Sequence, residues 1–197
     1  MRFPGLLVAL LMVASLALAG AQGGGKAAGV PSAPILIEVF SDYQCPACKL
    51  LFERTLPPLM KDYVRSGKVY LVHREFPLPM HPFAAQAAAY VCAAERIGKY
   101  DLVAGALFAR QDAWSVDGKV DEAACSVLTP AEAAKVRALV KDPAVAAEVR
   151  ADTELAGKAN IRQTPTMIVT HRLKQYPLGG AVNYGLLRRF LDELLAQ

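Results

Sequence analysis

The sequence predicts an α/β fold. A central mixed sheet is laid down by a β-α-β segment near the start and a β-β-α segment at the end, with a long helical insertion between them. Three observations predict it. Apolar, β-branched runs at 33–41 and from Val69 onward flank a helix-patterned stretch, and a second set of strands and a helix follows residue 159. Between these halves, residues 81–158 are alanine-rich and helix-patterned, punctuated by Pro and Gly. Two cysteines, Cys45 and Cys48, fall where the first strand gives way to its helix.

The chain opens "MRFPGLLVALLMVASLALAGAQ". Arg2 supplies a positive start, residues 6–19 are apolar, and small residues at Ala17, Ala19 and Ala21 fit cleavage after Ala19 or Ala21. Residues 1–21 therefore read as a secretory signal peptide. The apolar stretch is shorter than the roughly 20 residues a membrane span needs, and the cleavage site has no cysteine for a lipid. Residues 22–33, glycine-rich over 23–29, read as a flexible leader. What remains, ~175 residues, suits one domain with an insertion. Its sheet portion is expected at 34–80 and 159–197 and the helical insertion at 81–158. The net charge of +4 comes from scattered basic residues, which excludes a nucleic-acid or membrane-surface function read from charge.

Each element has a local reason. "APILIEVFS" (33–41) is bounded by Pro34 and Ser41 and reads as a largely buried strand. From Cys45 onward, apolar Leu50, Leu51, Leu59 and Met60 alternate with charged residues at helical spacing. Pro57–Pro58 should interrupt that helix and Gly67 should close it. "KVYLVHREFPL" supplies the second strand. In the insertion, "HPFAAQAAAYVCAAERIG" ends at Gly98, "TPAE" (129–132) is a capping box with Pro130 at the first helical position, and Asp142 caps a helix that ends at Gly157. Thr164–Pro165 precedes a strand at Thr166–Thr170; a cis bond there is possible. "RLKQYPLGGAVN" reads as a strand or hairpin, and "YGLLRRFLDELLAQ" as an amphipathic terminal helix.

The chemistry centres on "SDYQCPACKL". All four cysteines, Cys45, Cys48, Cys92 and Cys125, lie in the exported part, where disulfides form. Three pairings are possible; Cys45–Cys48 with Cys92–Cys125 is the expected one, with local geometry supporting its first half. With Cys45 as N-cap and Pro46 at the first helical position, the amides of Ala47 and Cys48 face a Cys45 thiolate, and the helix dipole adds roughly 0.3–2 kcal/mol. Cys48, one turn along on the same face, should be the sheltered sulfur. An exposed, acidic sulfur beside a covered one is what thiol–disulfide exchange requires. A structural bridge over so short a loop gains little entropy. A zinc site would need partners that the scattered His73, His81 and His171 do not supply in paired spacing, so no metal or other cofactor is expected. Cys92 and Cys125 read as a structural bridge closing about 33 residues, worth roughly 3.5–4 kcal/mol, with buried free thiols or a second redox pair as alternatives. Glu38 is a candidate buried carboxylate that passes a proton to Cys48, or else a solvated strand charge. Tyr43 and Gln44 border the cysteines and are expected to touch substrate. Trp114 is expected in the core, His81 as structural, and His73 and His171 as exposed.

The chain resembles the DsbA-like thiol:disulfide oxidoreductases of the thioredoxin superfamily. "EVFSDYQCPACK" is similar to that family's first strand and active-site helix, "VHREFPLPMHPFA" to its second strand and the start of the insertion, "LFARQDAWS" to a segment of the insertion, and "TPTMIV" to its cis-proline strand. The resemblance covers about residues 35–196. It implies a thioredoxin-like fold, Cys45 as the substrate-linked nucleophile and Cys48 as the resolving cysteine. It also implies a cis Pro165 beside Cys45, and Thr164 as a backbone site that pairs with an incoming chain. The partners it implies are reduced exported polypeptides in the periplasm or another extracytoplasmic compartment. A quinone-linked membrane oxidase of the DsbB-like or VKOR-like kind would restore the disulfide. Ala47 departs from the strongest oxidant of the family, which has histidine there, and this weakens the expected oxidising power. The rival readings are a reductase or isomerase kept reduced by a membrane donor, a non-enzymatic metal carrier using Cys45 and Cys48, and a holdase-like binder.

Overall fold

The structure is a computed structural model and describes residues 25–197. The expected signal peptide lies outside the described residues. Ile35, Ile37 and Val39 point into one side of the sheet and Phe40 into the other, all fully buried, so the strand they form, β2 (Ile35–Ser41), is covered on both faces. It sits at the centre. β3 (Val69–Glu75) runs parallel to it with Ile35 opposite Val69 and Ser41 opposite Glu75, while β4 (Thr166–His171) runs antiparallel on its other side. β5 (Lys174–Gly179) forms a hairpin with β4 through a tight turn at Arg172 and Leu173, both at positive φ. A short strand β1 (Ala27–Ala28) completes the order β1-β3-β2-β4-β5. The sheet is mixed, as expected.

β1 corrects the reading of 22–33 as a loose leader. Ala27 and Ala28 pair antiparallel with Val72 and Leu71, and the Lys26 carbonyl accepts from the His73 amide at 2.7 Å. The Lys26 ammonium bridges Glu148 and Asp152, 2.6 Å from each. Gly29, at φ +92°, passes so close to the Val69 carbonyl that a Cβ would sit 2.6 Å from its oxygen. Its glycine content therefore serves close approach as well as freedom.

The cysteine-bearing helix α1 (Pro46–Arg54) stops where the proline pair begins. A single turn, α2 (Leu56–Leu59), continues into a π-helical stretch (Met60–Val64), and Gly67 at φ +72° turns the chain toward β3. Pro57 and Pro58 lack amide donors, so the regular ladder cannot run through them. The insertion folds as α3 (Ala84–Glu95), α4 (Tyr100–Ala109), α5 (Gln111–Asp117), α6 (Val120–Cys125), α7 (Pro130–Leu139) and α8 (Pro143–Lys158). The Thr129–Glu132 capping box and the Asp142 cap are both formed. The alanines of α3 are buried, letting neighbouring helices approach closely. α9 (Tyr184–Leu195) starts at an Asn183 cap and buries Leu187, Leu191 and Leu194 under the sheet.

Two main cores result. One joins the sheet to α2 and α9; the other is the interior of the insertion, and Tyr43, Cys45 and Cys48 belong to it. The active-site loop is thus the seam between them. Trp114 is buried in the insertion core, its indole donating to the Leu107 carbonyl at 2.7 Å. His171 is buried and His73 half-buried against Tyr100, where exposure was expected. Strand alternation alone cannot show that the insertion folds over this side of the sheet.

Candidate active site

The chain between β2 and α1 is held by a single buried carboxylate. Asp42 accepts from the Gln44 amide at 2.7 Å, the Leu78 amide at 2.8 Å and His81 Nδ1 at 2.7 Å. This fixes the turn that delivers Cys45 to the N-cap position, with extended φ −80°, ψ 121° and Pro46 following at the first helical position. From the insertion, the Gln111 side-chain amide donates to the carbonyls of Tyr43 (2.7 Å) and Cys45 (3.0 Å). Opposite, the Thr164–Pro165 bond is cis, and the Cys45 thiol donates to the Thr164 carbonyl at 3.4 Å.

Cys45 keeps 8% exposure and Cys48 1%, so Cys45 is the accessible partner but is itself well covered. Cys45 is acidic, its thiol lowered to about 5. The leading cause is the Cys48 thiol, which donates to the Cys45 sulfur. Burial opposes this, and the Thr164 side chain and the amides of Cys48 and Ala47 assist. The helix start therefore contributes less than the neighbouring thiol, and no regular N-cap hydrogen bond to the side chain forms. The Thr164 hydroxyl, buried and without a hydrogen-bond partner, is free to serve a thiolate at Cys45. Cys48 is pushed far up, first by burial and then by donating to Cys45, although the Asp42 amide donates to its sulfur at 3.4 Å. The pair thus divides into an acidic outer sulfur and a proton-holding inner one.

Two expectations about nearby residues are corrected. Glu38 does not serve Cys48. Val39 and Ser41 line an enclosed cavity with Cys48, and alternation puts Glu38 on the other face. There it pairs with Arg74 (Nη2 at 2.6 Å), which also reaches Asp152 at 3.2 Å. Tyr43 is buried, not open to substrate, and Gln44, as covered as Cys45, spends its side chain on the insertion. The Gln44 side chain accepts from the Phe83 amide at 2.9 Å and donates to the Ser115 carbonyl at 3.2 Å, and the Tyr43 hydroxyl lies 3.2 Å from that of Tyr100. Both tie the active-site loop to the insertion. Cys92 on α3 and Cys125 at the end of α6, the expected bridge, are both buried in the insertion core and, like Cys45 and Cys48, are thiols in this structure. Burial and the charge of Glu75 raise Cys92, while the Cys125 sulfur lies 3.5 Å from Asp121. A one-dimensional pattern shows neither which face of α3 meets which neighbour nor which way Glu38 points.

The residues missed were Asp42, Gln111 and the Glu75–Tyr100 pair. Asp42 had a usable signal, an Asp three positions before the N-cap able to form an Asx turn. Gln111 lies far along the chain and had none. Among the described residues no group of three or more His, Cys, Asp or Glu is placed to hold a metal.

An acidic cysteine at a helix start, its sheltered partner one turn on and a cis-proline loop against it define a thiol:disulfide oxidoreductase of the DsbA-like class on a thioredoxin fold. The chain belongs to the thioredoxin family, whose profile matches residues 21–193. It is 26% identical over 159 residues to disulfide bond formation protein D of Bacillus subtilis, covering 76% of this chain and 69% of that protein. Among solved structures it is similar to alpha-DsbA1 of Wolbachia pipientis, with TM-score 0.71, 24% identity, and 86% of this chain and 89% of that chain covered. It is also similar to oxidised BdbD of Bacillus subtilis, with TM-score 0.70, 23% identity, and 88% and 94% covered. At these identities the two structures speak to the fold.

Proposed function

We propose that this protein is exported and donates a Cys45–Cys48 disulfide to reduced polypeptides as they fold outside the cytoplasm. A substrate thiolate attacks the Cys45 sulfur, a mixed disulfide forms, and Cys48 is released. A second substrate thiolate then attacks the substrate sulfur, leaving oxidised substrate and the dithiol protein. The carrying observation is the asymmetry of the pair: Cys45 lowered to about 5 and Cys48 raised by burial. Such a pair favours the dithiol form and so makes its disulfide an oxidant. Thr164, whose carbonyl lies against Cys45, would align the incoming chain as an added strand. The relationship to disulfide bond formation protein D supports oxidative folding as the task. A periplasmic or comparable location, with 1–21 as signal peptide, fits the early apolar stretch, and no helix among the described residues is long and apolar enough to cross a membrane. Reoxidation would fall to a quinone-linked membrane protein of the DsbB-like or VKOR-like kind.

The test is twofold. Cys48→Ala, loaded beforehand with glutathione in a mixed disulfide at Cys45, should exchange with a reduced, unfolded test protein, releasing glutathione and holding that protein in a mixed disulfide at Cys45, whereas Cys45→Ala should not. The redox equilibrium of the wild-type pair against glutathione should show a disulfide readily reduced by that pool. A potential as low as thioredoxin's, about −270 mV, would assign the reductase direction instead.

A further inference from the structure

Releasing Cys48 creates a problem that the Cys45 side does not solve. The inner sulfur leaves the broken disulfide with the electron pair, in a place where burial strongly disfavours its charge. It needs a proton at that moment. The Asp42 amide already donates to it and does not part with its proton at neutral pH.

Behind Cys48 lies an enclosed cavity of about 10 Å³, lined by Ser41, Tyr43, Cys48, His73 and Tyr100 among apolar neighbours. That volume holds about one water, and its polar lining supplies the two to four partners a buried water needs. Two of those lining residues lead on to a further group. The Tyr43 and Tyr100 hydroxyls lie 3.2 Å from each other, and 3.5 and 3.3 Å respectively from Oε1 of Glu75. Glu75 stands at the end of β3 opposite Ser41, with 1% exposure.

We propose that Glu75 is the proton reservoir for Cys48, connected to it through the Tyr43–Tyr100 hydroxyl pair and a single water in the cavity. This rests on the oxidoreductase reading above and extends it. The step balances. The substrate thiolate forms an S–S bond to Cys45 as the Cys45–Cys48 bond breaks, and Cys48 takes the electron pair. A proton passes from the Glu75 carboxyl along the hydroxyls and water to the Cys48 sulfur, leaving a Glu75 carboxylate that later regains its proton from solvent. Burial raises the Glu75 carboxyl to about 8, so it carries a proton at neutral pH. The groups facing it are Lys26 just before β1, Tyr43, Cys92 on α3, Tyr100 on α4 and Glu148 and Asp152 on α8. Asp152 also accepts from the Glu75 amide at 3.1 Å. The Lys26 ammonium, the one cation in that set, is the charge that a Glu75 carboxylate would meet. His73 also lines the cavity, but burial and the Lys26 charge hold it down to about 4, so near pH 7 it is neutral and has no ready acid proton. Glu75 acts through other groups and is a positioning residue.

The test follows reduction of the Cys45–Cys48 disulfide by dithiothreitol in the purified protein across pH, with rates corrected to reductant thiolate. The wild-type rate should fall as pH rises through about 8, where Glu75 gives up its proton. Glu75→Gln should be slower by on the order of tenfold at pH 7, the low end for a positioned proton donor, and should lose the inflection. Glu75→Asp should restore part of both. The alkylation profile of Cys45 should keep its midpoint near 5 in every variant that retains Cys48. The double variant Tyr43→Phe with Tyr100→Phe removes both hydroxyls that lie between Glu75 and the cavity while keeping the carboxyl, and should show the same slowing if Glu75→Gln fails to fold. At pH 7, the infrared difference spectrum between wild type and Glu75→Gln should carry a carboxylic-acid band from the wild type. A Glu75→Gln protein with unchanged rate and inflection, or a difference spectrum without that band, overturns the proposal. A wild-type disulfide that does not exchange with dithiothreitol would instead overturn the oxidoreductase reading.

Discussion

Removing the Cys48 thiol while keeping the fold isolates what makes Cys45 acidic. Cys45 sits about four units below the ordinary value of 9.0, and the first cause is the Cys48 S–H. A hydrogen bond to a charged group contributes roughly 1.5–3 kcal/mol; at 1.36 kcal/mol per unit, that is about one to two units. Cys48→Ala should therefore raise the Cys45 midpoint from about 5 to about 6–7, with Thr164 and the two amides keeping it below a free thiol. The consequence is energetic as well as kinetic. At pH 7 a midpoint of about 5 stabilises the dithiol form by about 2.7 kcal/mol, or about 60 mV of added oxidising power, relative to an unperturbed pair. The assay is the rate of iodoacetamide alkylation against pH, alongside the ultraviolet absorbance of the thiolate. A Cys48→Ala midpoint still near 5 would refute the neighbouring thiol as the leading donor. A wild-type midpoint near 8.5, that of a free cysteine, would refute the whole account of the nucleophile.

Other outcomes follow from the same geometry. Thr164→Val removes the buried hydroxyl and should raise the Cys45 midpoint by about one unit, with a lower potential against glutathione. Gln111→Ala leaves the Tyr43 and Cys45 carbonyls without their shared donor; urea unfolding should show a loss of about 1–3 kcal/mol and hydrogen exchange should speed up in the active-site loop. Lys26→Ala removes the cation that Glu148 and the buried Asp152 share, leaving them to Arg96 and Arg74, and frees β1, costing about 1–3 kcal/mol in urea unfolding. Glu75 has its carboxyl raised from 4.5 to about 8 by burial, so the folded chain keeps a proton that the unfolded chain gives up. Its contribution is fully present below pH 4.5 and lost as pH rises to about 8. Urea midpoints of wild type and Glu75→Gln should therefore diverge over that window in favour of the variant at the alkaline end, and parallel midpoints would contradict the raised carboxyl.

Much of the fold was legible because its signals are local. The strands at Ile35–Ser41, Val69–Glu75 and Thr166–His171 announce themselves by β-branched runs, and the helix starts at Cys45, Thr129 and Asp142 by capping chemistry. β1 was not legible. Two alanines after glycines carry no strand signal, and their place is set by pairing with β3 and by the Lys26 ion pairs. The site divided in the same way. Cys45 and Cys48 were readable from spacing and helix position, and Thr164–Pro165 from the resemblance. Gln111, Tyr100 and Glu75 were not, because they reach the site from α4, α5 and the end of β3 only once the insertion has folded over it.

The sequence by itself determined the reacting pair: a CxxC at a helix start places two sulfurs one turn apart by the geometry of the helix alone. Only the tertiary structure decided the environment of that pair. Burial, the direction each strand residue faces, and the convergence of Asp42, Gln111, Thr164 and Glu75 on one loop depend on contacts between distant segments. Those contacts set how acidic Cys45 is and which carboxyl lies within reach of Cys48.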